Sequence, residues 1–142
     1  MEENNEILKD VDFWATNSEE GGWNISSTDE GSQKMLEEEA KKLTIQNKIF
    51  FLGYQNNVYK YLLNADCFVL TSLWEDPGFV ILEAALSDTL IISSECPNGP
   101  NEILSNGQNG FLFKSNDISD LLNKFDKFKE STKDELKKKK YF

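Results

Sequence analysis

Four short runs of apolar residues, separated by segments with helical periodicity, constrain the fold of this chain more than any other feature. The runs cover residues 49–52, 67–70, 90–92 and 111–113. Short, continuous apolar runs of this kind are typical of strands that are buried on both faces. Strands that alternate with helices predict right-handed crossovers and a parallel sheet. We therefore predict an α/β fold, built as a doubly wound, Rossmann-like parallel sheet.

The segments between these runs carry helix signals. The predicted helices cover residues 33–43, a stretch capped by Asn56 or Asn57 that runs to Leu63, residues 79–86, a short turn at 102–104, and a last amphipathic helix capped by Asn116 or Asp117. The apolar face of the first helix is Leu36, Ala40 and Leu43, and that of the last is Ile118, Leu121, Leu122, Phe125 and Phe128. The expected core residues are Phe68, Val69, Ile91, Ile92, Phe111 and Phe113.

The chain divides into three parts of different character. Its 142 residues suffice for one domain, or for one half of a two-domain enzyme. Residues 1–22 lack periodicity and predict a poorly ordered or degenerate N-terminal segment. Residues 23–130 form the predicted Rossmann-like domain. Residues 131–142 are a lysine-rich tail, in which residues 137–140 suit a helix C-terminus or a solvated end.

Composition excludes several kinds of site. The chain has no histidine, and all 15 of its basic residues are lysines, so imidazole bases and arginine clamps are excluded within it. Cys67 and Cys96 lack the spacing of metal ligands, and Cys67 is predicted to be a small buried residue. We predict no metal site and no cofactor. A net charge of −10 argues against nucleic acid as a partner.

The N-terminus and the hydropathy pattern bear on location. Residues 1–6 are acidic and contain no apolar core region, which is not the pattern of a secretory signal. No apolar stretch approaches the roughly 18 residues that a membrane span needs. The expectation is a cytoplasmic protein without a transmembrane segment.

Chemistry-bearing residues follow the second apolar run. In open α/β sheets, ligands bind outside the carboxyl ends of the strands, so functional residues are expected after Leu52, Leu70 and Ile92. Glu75 lies in the loop after Leu70, and Pro77 and Gly78 precede the next helix. The free N–H groups of that first helical turn suit a phosphate.

Glu83 is the single carboxylate of an otherwise apolar helix, residues 79–86. Because burying an unpaired charge is costly, Glu83 is expected to face a cleft, a cation or a hydroxyl-rich ligand. The alternative is that Glu83 lies at the rim of the sheet and pairs with a lysine. Trp74 has two interpretations as well, stacking on a sugar ring or simple packing. Asn101 and Glu102 suit either ligand contact or turn stabilisation.

Residues 48–113 resemble the nucleotide-sugar-binding C-terminal half of GT-B glycosyltransferases, specifically the retaining family 4 (glycosyl transferases group 1). The resemblance rests on motifs in the family's order, of which the E-x7-E motif from Glu75 to Glu83 is the centre. The others are Phe51-Leu52-Gly53, residues 63–72, Ile91-Ile92-Ser93, Gly99-Pro100-Asn101-Glu102-Ile103 and Asn109-Gly110-Phe111-Leu112.

The resemblance implies a role for each matched residue. Glu83 would bind the ribose hydroxyls of the nucleotide, and Glu75, the catalytic candidate, would contact the donor sugar. The amides of Gly78, Phe79 and Val80 would surround the sugar and diphosphate, while Gly53 and Tyr54 would lie by the base. The implied partners are a UDP- or GDP-sugar donor, a glycan or lipid-linked acceptor, and a separate protein that supplies the N-terminal half.

The chain also departs from the family pattern. Asp76-Pro77-Gly78 replaces the usual residues after the first glutamate, and Pro77 has no N–H to donate. The family's diphosphate-binding arginine and lysine have no counterpart beyond Lys9. These departures predict a fragment whose activity alone is doubtful. They leave open a non-catalytic sugar-nucleotide-binding or interaction module, and an unrelated doubly wound domain in which E-x7-E is coincidental.

Overall fold

The computed structural model describes residues 15–16, 30–49 and 56–140, which contain four strands and six α-helices. The strands are β1 (Ala15–Thr16), β2 (Cys67–Leu70), β3 (Leu90–Ser94) and β4 (Phe111–Phe113). The helices are α1 (Glu30–Lys42), α2 (Tyr59–Leu62), α3 (Phe79–Leu86), α4 (Pro100–Ile103), α5 (Ile118–Glu130) and α6 (Lys133–Lys138). A 3-10 turn at Gln46–Lys48 follows α1.

The strands form one parallel sheet in the order β1-β2-β3-β4. Val69 is in register with Ile92, which in turn is in register with Phe111. The parallel α/β sheet predicted from the apolar runs is therefore confirmed. The edge strand β1, which pairs with β2, lies inside residues 1–22 and had no sequence signal. The predicted strand at 49–52 lies outside the described residues, apart from Ile49.

Helices cover both faces of the sheet, because alternate strand residues point to opposite sides. On one face, Phe68, Leu70 and Ile91 pack against α2 and α3. On the other, Cys67, Val69, Leu90 and Ile92 pack with Phe111 and Phe113 against α5, through Phe125 and Phe128. All six predicted core residues are buried, and so is Cys67, whose thiol pKa burial raises to about 12.

Two helix predictions match the structure closely. Helix α3 covers residues 79–86 as predicted, and α5 begins after Asp117, whose side chain accepts a 2.9 Å hydrogen bond from the Asp120 amide. This contact is a standard N-cap, which satisfies one of the free amides of the first turn. The turn predicted at 102–104 forms as α4, which begins two residues earlier, at Pro100.

Other predictions near helix ends are wrong. The helix before Leu63 is the single turn α2, which has no side-chain cap, since Val58 rather than an asparagine occupies the N-cap position. The strand predicted from the apolar run 90–92 is also longer than predicted, because Ser93 and Ser94 continue β3 and are fully buried. Leu36, Leu43 and Ile118 are exposed rather than packed, so the apolar faces of α1 and α5 are narrower than their spacing indicated.

The lysine-rich tail folds back onto the body of the domain. Helix α6 begins with a capping box between Thr132 and Glu135 and ends at Lys138. Lys139 Nζ donates to the Gly107 carbonyl at 2.9 Å and to the Gly110 carbonyl at 3.2 Å, and it lies over the Phe111 ring. Only the residues before Lys139 match the interpretation as a simple helix end.

Candidate functional site

The candidate site begins where β2 ends, in the loop formed by residues 71–78. This loop leads into α3 through Gly78, which adopts the left-handed conformation with φ 80°. Side chains rarely occupy this region, so glycine is the residue that permits the sharp entry into the helix. The Ile81 amide bonds the Gly78 carbonyl at 3.0 Å, closing the first turn.

The N-terminus of α3 opens at the carboxyl edge of the sheet. The first amides of a helix have no partner within it, which leaves those of Phe79 and Val80 for an external acceptor. The Phe79 side chain is 65% exposed, whereas Val80 packs against the core. An anion placed at this turn would meet backbone N–H groups and the positive end of the helix dipole.

Glu75 is held beneath this turn and is almost completely buried, with 5% of its surface exposed. Its backbone N–H donates to the Pro97 carbonyl at 3.2 Å, which fixes the loop against the segment after β3. Its side-chain atom Oε1 is buried without a hydrogen-bond partner in the described part of the chain. A buried carboxylate oxygen without a donor is a rare feature that calls for an explanation such as a ligand.

Glu83, on the second turn of α3, is in a similar state. It is half-buried, and its Oε2 atom also lacks a partner among the described residues. Burial raises the pKa of this carboxyl, because the charged form loses its hydration. Within residues 30–49 and 56–140, the ion pairs of lysines involve Glu39, Asp120 and Asp88. The alternative in which a lysine pairs with Glu83 is therefore not what these residues show.

The remaining predicted site residues fall into three groups. Trp74, which precedes Glu75, is 55% exposed, and its neighbour Leu73 is 64% exposed. The interpretation of Trp74 as a packed residue is therefore wrong. Asn101 is half-buried on α4, while Glu102 is exposed there. Gly53 and Tyr54 lie outside the described residues, and their predicted place by the base stays a prediction.

Sequence reasoning missed the segment that supports this loop. Residues 95–99 follow β3 and pack directly on the 71–78 loop, with Gly99 so close that a Cβ atom there would lie 2.3 Å from the Pro77 carbonyl oxygen. The hydroxyl of Ser94 donates to the Ser72 carbonyl at 2.6 Å. A signal existed in the Pro97-Asn98-Gly99-Pro100 stretch, whose glycine indicates a close backbone approach.

The described residues give no sign of two other kinds of site. They contain no cluster of three or more cysteine, aspartate or glutamate side chains arranged to hold a metal ion. None of their helices combines the length and apolar character that crossing a membrane requires.

Comparison with known proteins gives relatives of one kind. An uncharacterised glycosyltransferase of Methanocaldococcus jannaschii is 42% identical over 69 residues, which are 49% of this chain and 17% of that protein. An Escherichia coli UDP-Gal:alpha-D-GlcNAc-diphosphoundecaprenol alpha-1,3-galactosyltransferase is 36% identical over 81 residues, 57% of this chain and 21% of that protein. The chain therefore spans about a fifth of the length of these two relatives.

A solved structure and a family profile agree with them. The crystal structure of HepE from Anabaena in complex with UDP superposes with a TM-score of 0.69 at 25% identity, over 78% of this chain and 30% of that one. The profile described as "Glycosyl transferases group 1" matches residues 21–141, which include the whole site. The chain belongs to the glycosyl transferases group 1 family and has the fold of one half of a GT-B glycosyltransferase.

Proposed function

We propose that this chain is the donor-binding half of a glycosyltransferase, which transfers a sugar from a nucleotide-sugar to a glycan or lipid-linked acceptor with retention of configuration. The observation that carries the proposal is the pair of buried, unpartnered carboxylate oxygens, on Glu75 and Glu83, beside the open N-terminus of α3. A UDP-sugar donor is supported by the galactosyltransferase relative and by the UDP complex of the Anabaena protein.

The proposed roles follow from what each group can accept or donate. A carboxylate accepts hydrogen bonds from hydroxyls, so Glu83 binds the ribose and Glu75 contacts the donor sugar as the catalytic residue. The amides of Gly78, Phe79 and Val80 surround the sugar and diphosphate and stabilise the charge of the leaving group. Gly53 and Tyr54 are proposed to contact the base.

Charge compensation is not supplied by residues 71–83, the described segment that carries Glu75 and Glu83, because this segment contains no lysine or arginine. A diphosphate would approach Glu75 and Asp76 in a protein of net charge −10 that contains no arginine. When the phosphate and carboxylate charges are close together and partly buried, their repulsion costs roughly several kcal/mol unless a cation compensates it. We therefore propose that the cations come from outside this segment, either from Lys9 of this chain or from a separate protein that forms the N-terminal half.

Replacing Glu83 by alanine tests the ribose contact. We expect calorimetry against UDP- and GDP-sugars to show binding by the wild type and a loss of about 1–3 kcal/mol in Glu83→Ala, the range for hydrogen bonds to a charged group. Glu130→Ala is the matched control, since Glu130 is an exposed glutamate at the end of α5, outside the candidate site. Equal affinities for the two variants would contradict the ribose role, and no binding to the wild type would contradict donor binding.

A second candidate function is a non-catalytic module that binds a sugar nucleotide. The absence of arginine favours it, as does Pro77, which removes one amide from the helix entry. The two functions differ in what a partner does. If the chain mixed with an N-terminal-half protein of this family hydrolyses or transfers the donor sugar, and loses this activity in Glu75→Gln, the enzyme is supported. Binding without turnover would favour the module.

A further inference from the structure

Ser94 lies at the point where pairing between β2 and β3 ends. Leu70 and Ser93 are the last residues in register, so the main-chain ladder goes no further. One residue beyond, the Ser94 hydroxyl donates to the Ser72 carbonyl at 2.6 Å, across the gap that opens between the strands. This side chain therefore continues the connection after the backbone ladder has stopped.

The hydrogen bond from Ser94 to the Ser72 carbonyl is buried, and this carbonyl depends on it for a donor. Ser94 is 1% exposed and Ser72 is 6% exposed, so water is excluded from both. A buried carbonyl without a donor has lost its bonds to water and gained none in exchange, which makes the Ser94 hydroxyl important for the conformation of the 71–78 loop. The hydroxyl of Ser72 itself has no partner among the described residues and gives no alternative anchor.

Three further contacts join the same two segments. The Glu75 amide donates to Pro97, a Cβ on Gly99 would lie 2.3 Å from the Pro77 oxygen, and one on Gly78 would lie 3.9 Å from the Asn98 oxygen. The 71–78 loop thus rests backbone to backbone on residues 95–99. These contacts are made by backbone atoms, which cannot change rotamer to fill a gap as a side chain can. A displacement of the loop at Ser72 is therefore expected to displace Glu75 as well.

We propose that Ser94 is a positioning residue for the donor site: through the Ser72 carbonyl it holds the 71–78 loop on residues 95–99 and so fixes Glu75 under the N-terminus of α3. This inference rests on the proposed function. Ser94 does not contact the donor. The loop that Ser94 holds carries Glu75, the residue proposed to contact the sugar. Glu83, the residue proposed to bind the ribose, lies on α3, so Ser94 affects sugar binding more than nucleotide binding.

Ser93 provides a matched control. It is the neighbouring serine of β3 and is equally buried, but its hydroxyl donates to the adjacent Ser94 carbonyl and crosses to no other segment. Both variants, Ser93→Ala and Ser94→Ala, remove one buried hydroxyl from the same strand. A difference between them therefore reports the contacts of the Ser94 hydroxyl, which are its bond to the Ser72 carbonyl and its hydrogen bond with the Cys96 side chain.

The first measurement is hydrogen exchange in the free chain. Ser94→Ala is expected to speed exchange of the Glu75 amide about tenfold relative to Ser93→Ala, which corresponds to the loss of roughly one buried hydrogen bond. Equal exchange of residues 71–78 in the two variants would overturn the inference. This outcome does not depend on any ligand, so it is separate from a failure of the proposed function.

The second measurement compares the tightest-binding sugar nucleotide of a UDP- and GDP-sugar panel with the matching nucleoside diphosphate. Ser94→Ala is expected to weaken sugar-nucleotide binding about 3- to 10-fold more than diphosphate binding, whereas a purely structural defect lowers both equally. In a Glu75→Gln background the difference should vanish, since Ser94 acts through Glu75. A difference that persists there would overturn the inference.

If Ser94→Ala does not fold, Gly99→Ala provides a second test of the contact between residues 95–99 and the 71–78 loop. Its Cβ would collide with the Pro77 carbonyl, while Gly107→Ala shares a positive φ but meets its nearest neighbour, Leu112 Cδ1, at 3.9 Å. Faster exchange at Glu75 in Gly99→Ala than in Gly107→Ala supports the contact between the loops. Equal exchange in both would overturn it.

Discussion

At the scale of single residues, Glu83 is expected to lower the stability of the free protein while it contributes to ligand binding. Its carboxyl is desolvated and has no partner among the described residues, so the charged form destabilises the folded chain that keeps it. Residues placed for ligands commonly reduce stability in this way, because the compensating groups arrive only with the ligand. Glu75 shares one of these features, a buried carboxylate oxygen, Oε1, without a partner among the described residues.

This reasoning predicts that Glu83→Gln stabilises the free protein at pH 7. The folded-state pKa of Glu83 is raised above its ordinary value of 4.5, so the wild type loses stability as the pH rises from 4.5 through that folded-state pKa. The advantage of the variant should grow as the pH rises above 4.5 and should disappear as the pH falls below that value. Urea unfolding across this range measures it, with Glu102→Gln as control. An advantage that does not change with pH would contradict the desolvation argument.

At the scale of elements, Lys139 and Lys140 attach the tail helix α6 to the body of the domain. Lys140 Nζ pairs with the Asp88 carboxylate at 2.7 Å. Lys139 is the residue after the last turn of α6, and its ammonium group binds the carbonyls of the turn before β4. Partial burial lowers the pKa of Lys139, and the contact with the Phe111 ring adds an attraction of its own. The run of four lysines therefore contains two residues, Lys139 and Lys140, with partners in the body of the domain.

We expect Lys139→Met to destabilise the chain by about 1–3 kcal/mol, since methionine keeps the apolar stem but leaves two carbonyls without their charged donor. Lys138→Met is the control, because Lys138 is exposed and lies on the same helix. Unfolding in urea gives the comparison. If the two variants unfold at the same concentration, the attachment through Lys139 contributes nothing measurable.

At the scale of the whole molecule, the sheet joins two apolar cores. Ile91 packs on the face covered by α2 and α3, and its neighbour Ile92 packs on the face covered by α5. Because both side chains leave the same strand, neither core can form without the sheet that completes the other. The domain should therefore unfold as one cooperative unit.

Ile91→Ala and Ile92→Ala test this coupling. Each is expected to lower the free energy of unfolding by about 2–5 kcal/mol, as for other large-to-small changes in cores. In both variants, circular dichroism and tryptophan fluorescence should report the same single transition in urea. Two separate transitions, or a variant that shifts only one probe, would show that the two faces unfold independently.

The sequence by itself determined the strands β2 and β4, the first three residues of β3, the helix α3 and a cap of α5 at Asn116 or Asp117, because periodicity and capping are local properties. It also placed Glu75 and Glu83 around one helix end. Only the tertiary structure decided that Ser94 meets Ser72, that Gly99 touches Pro77 and that Lys139 reaches Gly107. These contacts join backbone groups far apart in the chain, and no local pattern of residues records which distant carbonyl a side chain will meet.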